Sequence, residues 1–364
     1  MKARLYLLLI GITIVSVASA QPKNLAKFFP LAAVNNSSTA GQANLHYIIN
    51  GYVGPLAEDL GGVASGGWYN TAENHKRFGF DLCVNMTTIF APSSSQAFPV
   101  DNAQLSEVGF LGTTTGSGQM ATAYGAELDE PTFSYNGGPN FPATPVFSGP
   151  GGGNLVKEIP IGSMAIPTIQ AGLGLFANTD LRFRFTPGIA IGETKVDMWG
   201  AGLMHDIKQH IAGLKELPFS LSLMLAYTNL KTATNMGGLY QNTAGNNAGQ
   251  EGVAETTAFT AQVLISKQIP VLTFYGGIGY NSGNTTFKIN GNYVVDSAYL
   301  PAGGTDTLDT PVTLNDPFSN EYSTSGFRFT GGIRFKFGPI FLNSDYTFYK
   351  GAGLLTLGFG ATVR

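Results

Sequence analysis

The chain has 364 residues, with 20 Lys and Arg against 23 Asp and Glu, for a formal net charge of −3. That balance excludes a polybasic surface for nucleic acid, and a single Cys excludes a disulfide framework. Charged residues are only 12%, about half the usual share of a soluble domain, and Gly reaches 48.

Lys2 and Arg4 open the chain, an apolar run follows from Leu5 to Val17, and Ala18-Ser19-Ala20 closes it with small residues. This layout predicts a secretory signal over residues 1–20, cleaved near Ala20-Gln21. The competing reading, a membrane anchor, is disfavoured because the run is short for a bilayer. Residues 21–72 form an N-terminal segment. Within it, residues 43–63 place Leu45, Ile48, Ile49, Tyr52, Leu56, Leu60 and Val63 at three- and four-residue spacing. That spacing predicts an amphipathic helix, broken at Gly54-Pro55. Two placements stay open. The helix plugs a lumen, with Leu45, Ile49, Tyr52, Pro55, Leu56 and Leu60 as its plug residues, or it packs beneath the barrel.

Over 73–364 the period changes to two. Phe78, Phe80, Leu82, Val84 and Met86 alternate with Gly79, Asp81, Cys83, Asn85 and Thr87. The same split recurs at Ile169–Leu175, Leu221–Tyr227, Phe259–Ile265, Phe327–Phe337 and Leu355–Val363. These runs suit the 9–11 residues that cross a membrane at a tilt. Their polar face carries Gly, Thr, Ser and Asn rather than the Lys and Glu of a soluble sandwich. The fold class predicted is therefore all-β, a transmembrane antiparallel β-barrel with a short N-terminal helical plug. The expected strands are 76–91, 104–112, 119–128, 161–176, 181–190, 194–203, 219–230, 255–267, 271–281, 323–337, 339–349 and 353–364, about twelve in all. An Asn290-Gly291 hairpin within 285–296 would raise the count to fourteen.

Turns sort the strands onto rims. Lys215–Pro218, Lys267–Pro270 and Lys336–Pro339 share a basic-then-Pro pattern, and Gly338-Pro339 sets Phe337 opposite Ile340 and Phe335 opposite Leu342. Short turns at the periplasmic rim and long loops outside are the arrangement of outer-membrane barrels. A turn or two of helix is expected over His205–Leu217, and Tyr227, Tyr280, Tyr346 and Tyr349 are expected in an aromatic girdle. The chain ends Ala361-Thr362-Val363-Arg364 and so lacks the terminal aromatic of many outer-membrane barrels.

Two stretches also carry a resemblance. They are Ile49–Leu56 with Gly67–Ala72 and Gly79–Leu82, and Gly202–Gln209 with Leu217-Pro218-Phe219. Together they resemble a family of uncharacterised exported β-rich proteins of Bacteroidetes, regarded as outer-membrane barrels. That resemblance implies location and fold but no substrate. A looser likeness is to the long-chain fatty-acid transporters, which place an N-terminal plug before a fourteen-stranded barrel; their Asn-Pro-Ala hatch motif is absent here.

The candidate site is the lumen. Asp81, Arg182, Arg184, Asp197, Arg328, Arg334, Lys336 and Asp345 fall at polar positions of the strands. Ionisable groups at membrane depth persist when paired or wetted. Here they either set solute selectivity or fill a narrow closed barrel as a ladder of ion pairs. His205 and His210 lie five apart, not at helical metal-site spacing, and no nucleophile–base pair falls in an outer strand half. Neither an enzyme, nor a metal, nor a cofactor is expected. The partners expected are outer-membrane lipid and an unknown small-molecule solute. The reading that follows is a barrel passing or binding a small or hydrophobic solute. A non-conducting surface barrel whose loops bind a partner or polymer, and an exported soluble β protein, are the alternatives.

Overall fold

The structure is a computed structural model that describes Phe29 and residues 39–105, 111–115, 118–126, 131–135, 144–149, 151–153, 155, 164–191, 194–236, 249–295 and 312–363. The predicted signal over 1–20 lies outside the described residues. One long helix, α1 (Thr39–Ala64), precedes ten long strands. These are β1 (Phe80–Phe90), β2 (Met164–Gly174), β3 (Thr179–Ile191), β4 (Thr194–Asp206), β5 (Ser220–Asn235), β6 (Glu251–Ile269), β7 (Leu272–Asn290), β8 (Phe318–Phe337), β9 (Ile340–Tyr349) and β10 (Ala352–Val363). Each pairs antiparallel with its neighbour in sequence, and β10 returns to β1 from Phe80↔Val363 to Phe90↔Gly353. The sheet is thus a closed barrel, with no edge left to hydrogen-bond to lipid.

Alternation decides which way each strand faces. Leu82, Phe183, Phe259, Ile278, Phe329 and Phe359 are exposed on the outside, among many others spread round all ten strands. Soluble monomers rarely expose apolar patches above a few hundred Å², so a continuous apolar belt marks a lipid-facing wall. Tyr227, Tyr280 and Tyr346 are outward, as a girdle requires. Tyr349 is a correction: it turns inward, 3% exposed, with its hydroxyl 3.2 Å from that of Thr324. The Gly338-Pro339 turn gives the expected register, Phe337↔Ile340 and Phe335↔Leu342.

The barrel has ten strands rather than twelve or fourteen. Ten of the expected segments are barrel strands, but β1 pairs directly with β2, so 104–112 and 119–128 are bypassed. Leu111–Thr115 belongs to a small three-stranded sheet with Thr132–Tyr135 and Thr144–Ser148, and Gln119–Ala121 pairs with Ala97–Pro99. Their apolar side chains find another target, since Met120 and Tyr124 are buried against α1 residues. At Asn290-Gly291 the chain does not reverse. Gly291, at φ +111°, passes the strand on to Asn292–Val295, which pairs with Val312–Asn315 beyond the barrel. Gly291 N–H donates to Asp316 Oδ1 at 2.8 Å and Asp316 N–H to the Gly291 carbonyl at 3.0 Å, so the turn-type dipeptide serves a kink in a ribbon. The 205–217 segment holds one short helical turn, Lys208–His210, followed by hydrogen-bonded turns at Ile211–Leu214 and Leu214–Leu217, because β4 runs on to Asp206.

α1 is continuous through Pro55, not broken there. Pro removes one hydrogen bond and crowds the carbonyl four residues earlier. That residue is Gly51, which borders a polar cavity of about 390 Å³ at the loop rim with Asn50, Glu58 and Tyr322.

Candidate functional site

α1 lies inside the barrel and fills the half nearer the long connections. Its plug residues Leu45, Ile49 and Tyr52 are buried in a cluster with Val100, Met120, Tyr293 and Phe318, against which Leu56 also packs. Leu60, Val63 and Ala64 are buried deeper, with Ile89, Ile166, Val196 and Leu354 of the wall. Pro55 is half-buried on the side of the polar cavity. Close approach rests on a pair of glycines: a Cβ on Gly283 of β7 would stand 3.0 Å from Gly61 Cα of the helix.

The end of α1 explains the arginines. A helix leaves its last carbonyls without intrahelical partners and carries partial negative charge there. Arg184 donates to the carbonyls of Ala64 and Gly66, and Arg328 to that of Ser65 at 2.8 Å. Asn281 Nδ2 and Ser65 Oγ reach the Gly61 carbonyl at 3.5 and 2.9 Å. Arg184 also lies 3.9 Å over the Trp68 ring, a desolvated cation–π contact. Arg184 and Arg328, for which the sequence leaves open a role in selectivity or in a ladder of ion pairs, here meet backbone carbonyls.

Residues 65–79 fill the other half. Tyr69 Oη donates to Gln262 Oε1 at 3.0 Å, Ser266 Oγ accepts from Ala72 N–H at 3.0 Å, and Asn74 donates to the Met204 carbonyl at 2.7 Å. At the short-turn rim, His75 Nδ1 lies 2.8 Å from Asp180 Oδ2, and Arg182 bridges Asp180 at 3.3 Å and Asp81 at 3.9 Å. All four side chains are at least 98% buried. Asp180 and His75, which the sequence reading left out of the lumen set, complete this cluster. Asp180 precedes Arg182 on the same strand face, and that parity was the signal available for it.

Of the other candidates, Asp345 accepts from Tyr275 Oη at 3.0 Å, and Arg334 lies 4.1 Å over the Phe341 ring. Lys336 is half-buried on the lumen side of β8 near the short-turn rim. Asp197 is a correction. It faces outward on β4, opposite Lys231 in register, because the lumen positions of that strand are Val196 and Met198. With Lys231 and Glu255, 2.9 Å apart and half-exposed, it marks charge above the apolar belt. His205 and His210 stand Nε2 to Nε2 at 3.0 Å beside the short-turn rim, and among the described residues no group of three or more His, Cys, Asp or Glu is placed to hold a metal.

A second space, apolar where the first is polar, stays open between helix and wall. It is an apolar cleft of about 100 Å³, bounded by Leu56, Ala57 and Leu60 of α1 and by Ile166, Val196 and Ala254 of the barrel. Thr194 and Thr234 form a polar edge, their hydroxyls 2.8 Å apart. An inward Asp197 would have turned Val196 away from the lumen, and the structure instead brings Val196 to this cleft.

The model of a protein family described as of unknown function (DUF6588) matches residues 1–362. No curated protein matches the sequence. Among solved structures, the attachment invasion locus protein Ail of Yersinia pestis is 11% identical, with 50% of this chain and 91% of that chain covered at a TM-score of 0.25. The translocator domain of the autotransporter NalP from Neisseria meningitidis is 12% identical, with 86% and 97% covered at 0.30. The P. putida toluene transporter TodX is 10% identical, with 78% and 68% covered at 0.22.

Proposed function

The chain belongs to that family of unknown function, whose description assigns no role, and from its own lumen we propose an outer-membrane protein that binds a small apolar solute beside a plug. The location proposed is the outer membrane of a Gram-negative cell, reached after removal of residues 1–20. The exported proteins of Bacteroidetes that it resembles point the same way. The observation that carries the ligand reading is the apolar cleft between α1 and the wall. An apolar cavity of about 150 Å³ stays dry and takes up benzene, so this cleft suits a molecule of a few carbon atoms. Passage onward requires residues 65–79 to yield, because their hydrogen bonds occupy the inner half.

Thermal unfolding of the folded protein in detergent tests this. Xenon or propane dissolved under pressure raises Tm of the wild type, as binding to the native state alone requires, and the rise is lost in Ala254→Phe, which fills the cleft. An equal shift in both proteins, or none in either, counts against the proposal.

A further inference from the structure

β1 begins at the short-turn rim, yet the chain that leads into it comes from the opposite end of the barrel. The connections 175–178, 207–219, 270–271 and 338–339 share one rim with the start of β1, whereas the three longest, 91–163, 236–250 and 291–317, cross the other together with 192–193 and 350–351. Long connections face the cell exterior in outer-membrane barrels. α1 starts at that outer rim. Its Tyr47 hydroxyl donates to the Pro99 carbonyl and accepts from Asp101 N–H at 2.9 Å, and the Tyr52 carbonyl accepts from Ala123 N–H at 3.0 Å. Asn50 Oδ1 accepts from Asn320 and Tyr322. Further upstream, Phe29 is fully buried with its ring 4.7 Å from that of Tyr293, on the ribbon that rises beyond the barrel.

We propose that the barrel is threaded from the outside of the cell: Phe29 and the start of α1 lie at the outer face, and 39–79 runs inward through the lumen to reach β1. The direction of threading has a physical cause. Arg184 and Arg328 sit where α1 ends, and cations favour the carbonyl end of a helix. A helix threaded the other way would turn unpaired N–H groups and partial positive charge toward them. The 26 residues of α1 extend about 39 Å at 1.5 Å per residue, enough to carry the segment from mid-lumen past the rim.

Single cysteines and a membrane-impermeant maleimide test the arrangement on intact cells, because the native Cys83 is buried. Ala43→Cys, at an exposed position of α1, reports on the helix; Ser93→Cys reports the loop rim and Gln268→Cys the short-turn rim. Heat-modifiable gel migration confirms that each variant is a folded barrel. The result expected is labelling of Ala43→Cys on intact cells to the extent seen for Ser93→Cys, with Gln268→Cys labelled only after permeabilisation. Labelling of Ala43→Cys only after permeabilisation overturns the proposal. So does labelling of Gln268→Cys on intact cells, which would invert the barrel. Neither outcome depends on whether the apolar cleft binds a solute.

Discussion

Arg184 and Arg328 show how far one residue type can be read. Alternation with Leu181, Phe183, Phe327 and Phe329 is enough to turn them inward, because a strand sends successive side chains to opposite faces. Their partners are carbonyls of a helix more than 100 residues away in sequence, which no local pattern encodes. Asp59 makes a testable case at this scale. It lies on α1 at the loop rim, beside Glu58 and Lys350. Burial, the largest cause, pushes its carboxyl up from the ordinary 3.8 to about 6; Glu58 adds to the rise, and Tyr124 and Lys350 oppose it. The folded protein then holds this proton more tightly than the unfolded chain does, so stability is greatest below the unfolded value and falls as pH rises through about 6. Asp59→Asn is expected to flatten Tm against pH between about 4 and 6 and to raise Tm at neutral pH. An unchanged pH slope in the variant would show that another group is responsible.

Elements were legible where one face meets lipid and the other does not. The turn at Gly338-Pro339 and its register follow from a two-residue loop and period two. The strand expected over 119–128 failed because Met120, Ala123 and Tyr124 pack on α1 instead of lipid, and alternation cannot name the surface it meets. The helix break expected at Pro55 failed for a related reason: packing on both sides outweighs the lost hydrogen bond. The joint between helix and wall is the Gly61–Gly283 approach. Gly283→Val places two methyl groups in that joint and is expected to cost roughly 1–3 kcal/mol, as overpacked sites do. Chemical unfolding would measure it, and a loss below about 0.5 kcal/mol, the usual range for surface changes, would mean that the helix sits less closely than the glycines indicate.

Closure and plugging belong to the whole molecule. With α1 in one half and 65–79 in the other, no ion path is expected, so the intact protein should be silent in planar bilayers. Deletion of 39–76 removes both halves of this filling, with the carbonyls that Arg184 and Arg328 hold and the wall contacts of Tyr69, Ala72 and Asn74, and the lumen should then conduct with preference for anions. In that background Arg334→Ala is expected to move the reversal potential toward cations. Open steps from the intact chain would contradict the plugged lumen, and an unmoved potential would remove Arg334 from the selectivity set.

By itself the sequence determined the class of fold, the facing of nearly every strand and the presence of a helix before the barrel. Those features follow from side-chain period and turn chemistry, which act over a few residues. Only the tertiary structure decided the strand number, the outward turn of Asp197, the continuous helix and the direction in which the N-terminal segment passes through the lumen. Each of these depends on which surface a residue meets across the barrel, and that is settled by closure of the sheet around the chain it encloses.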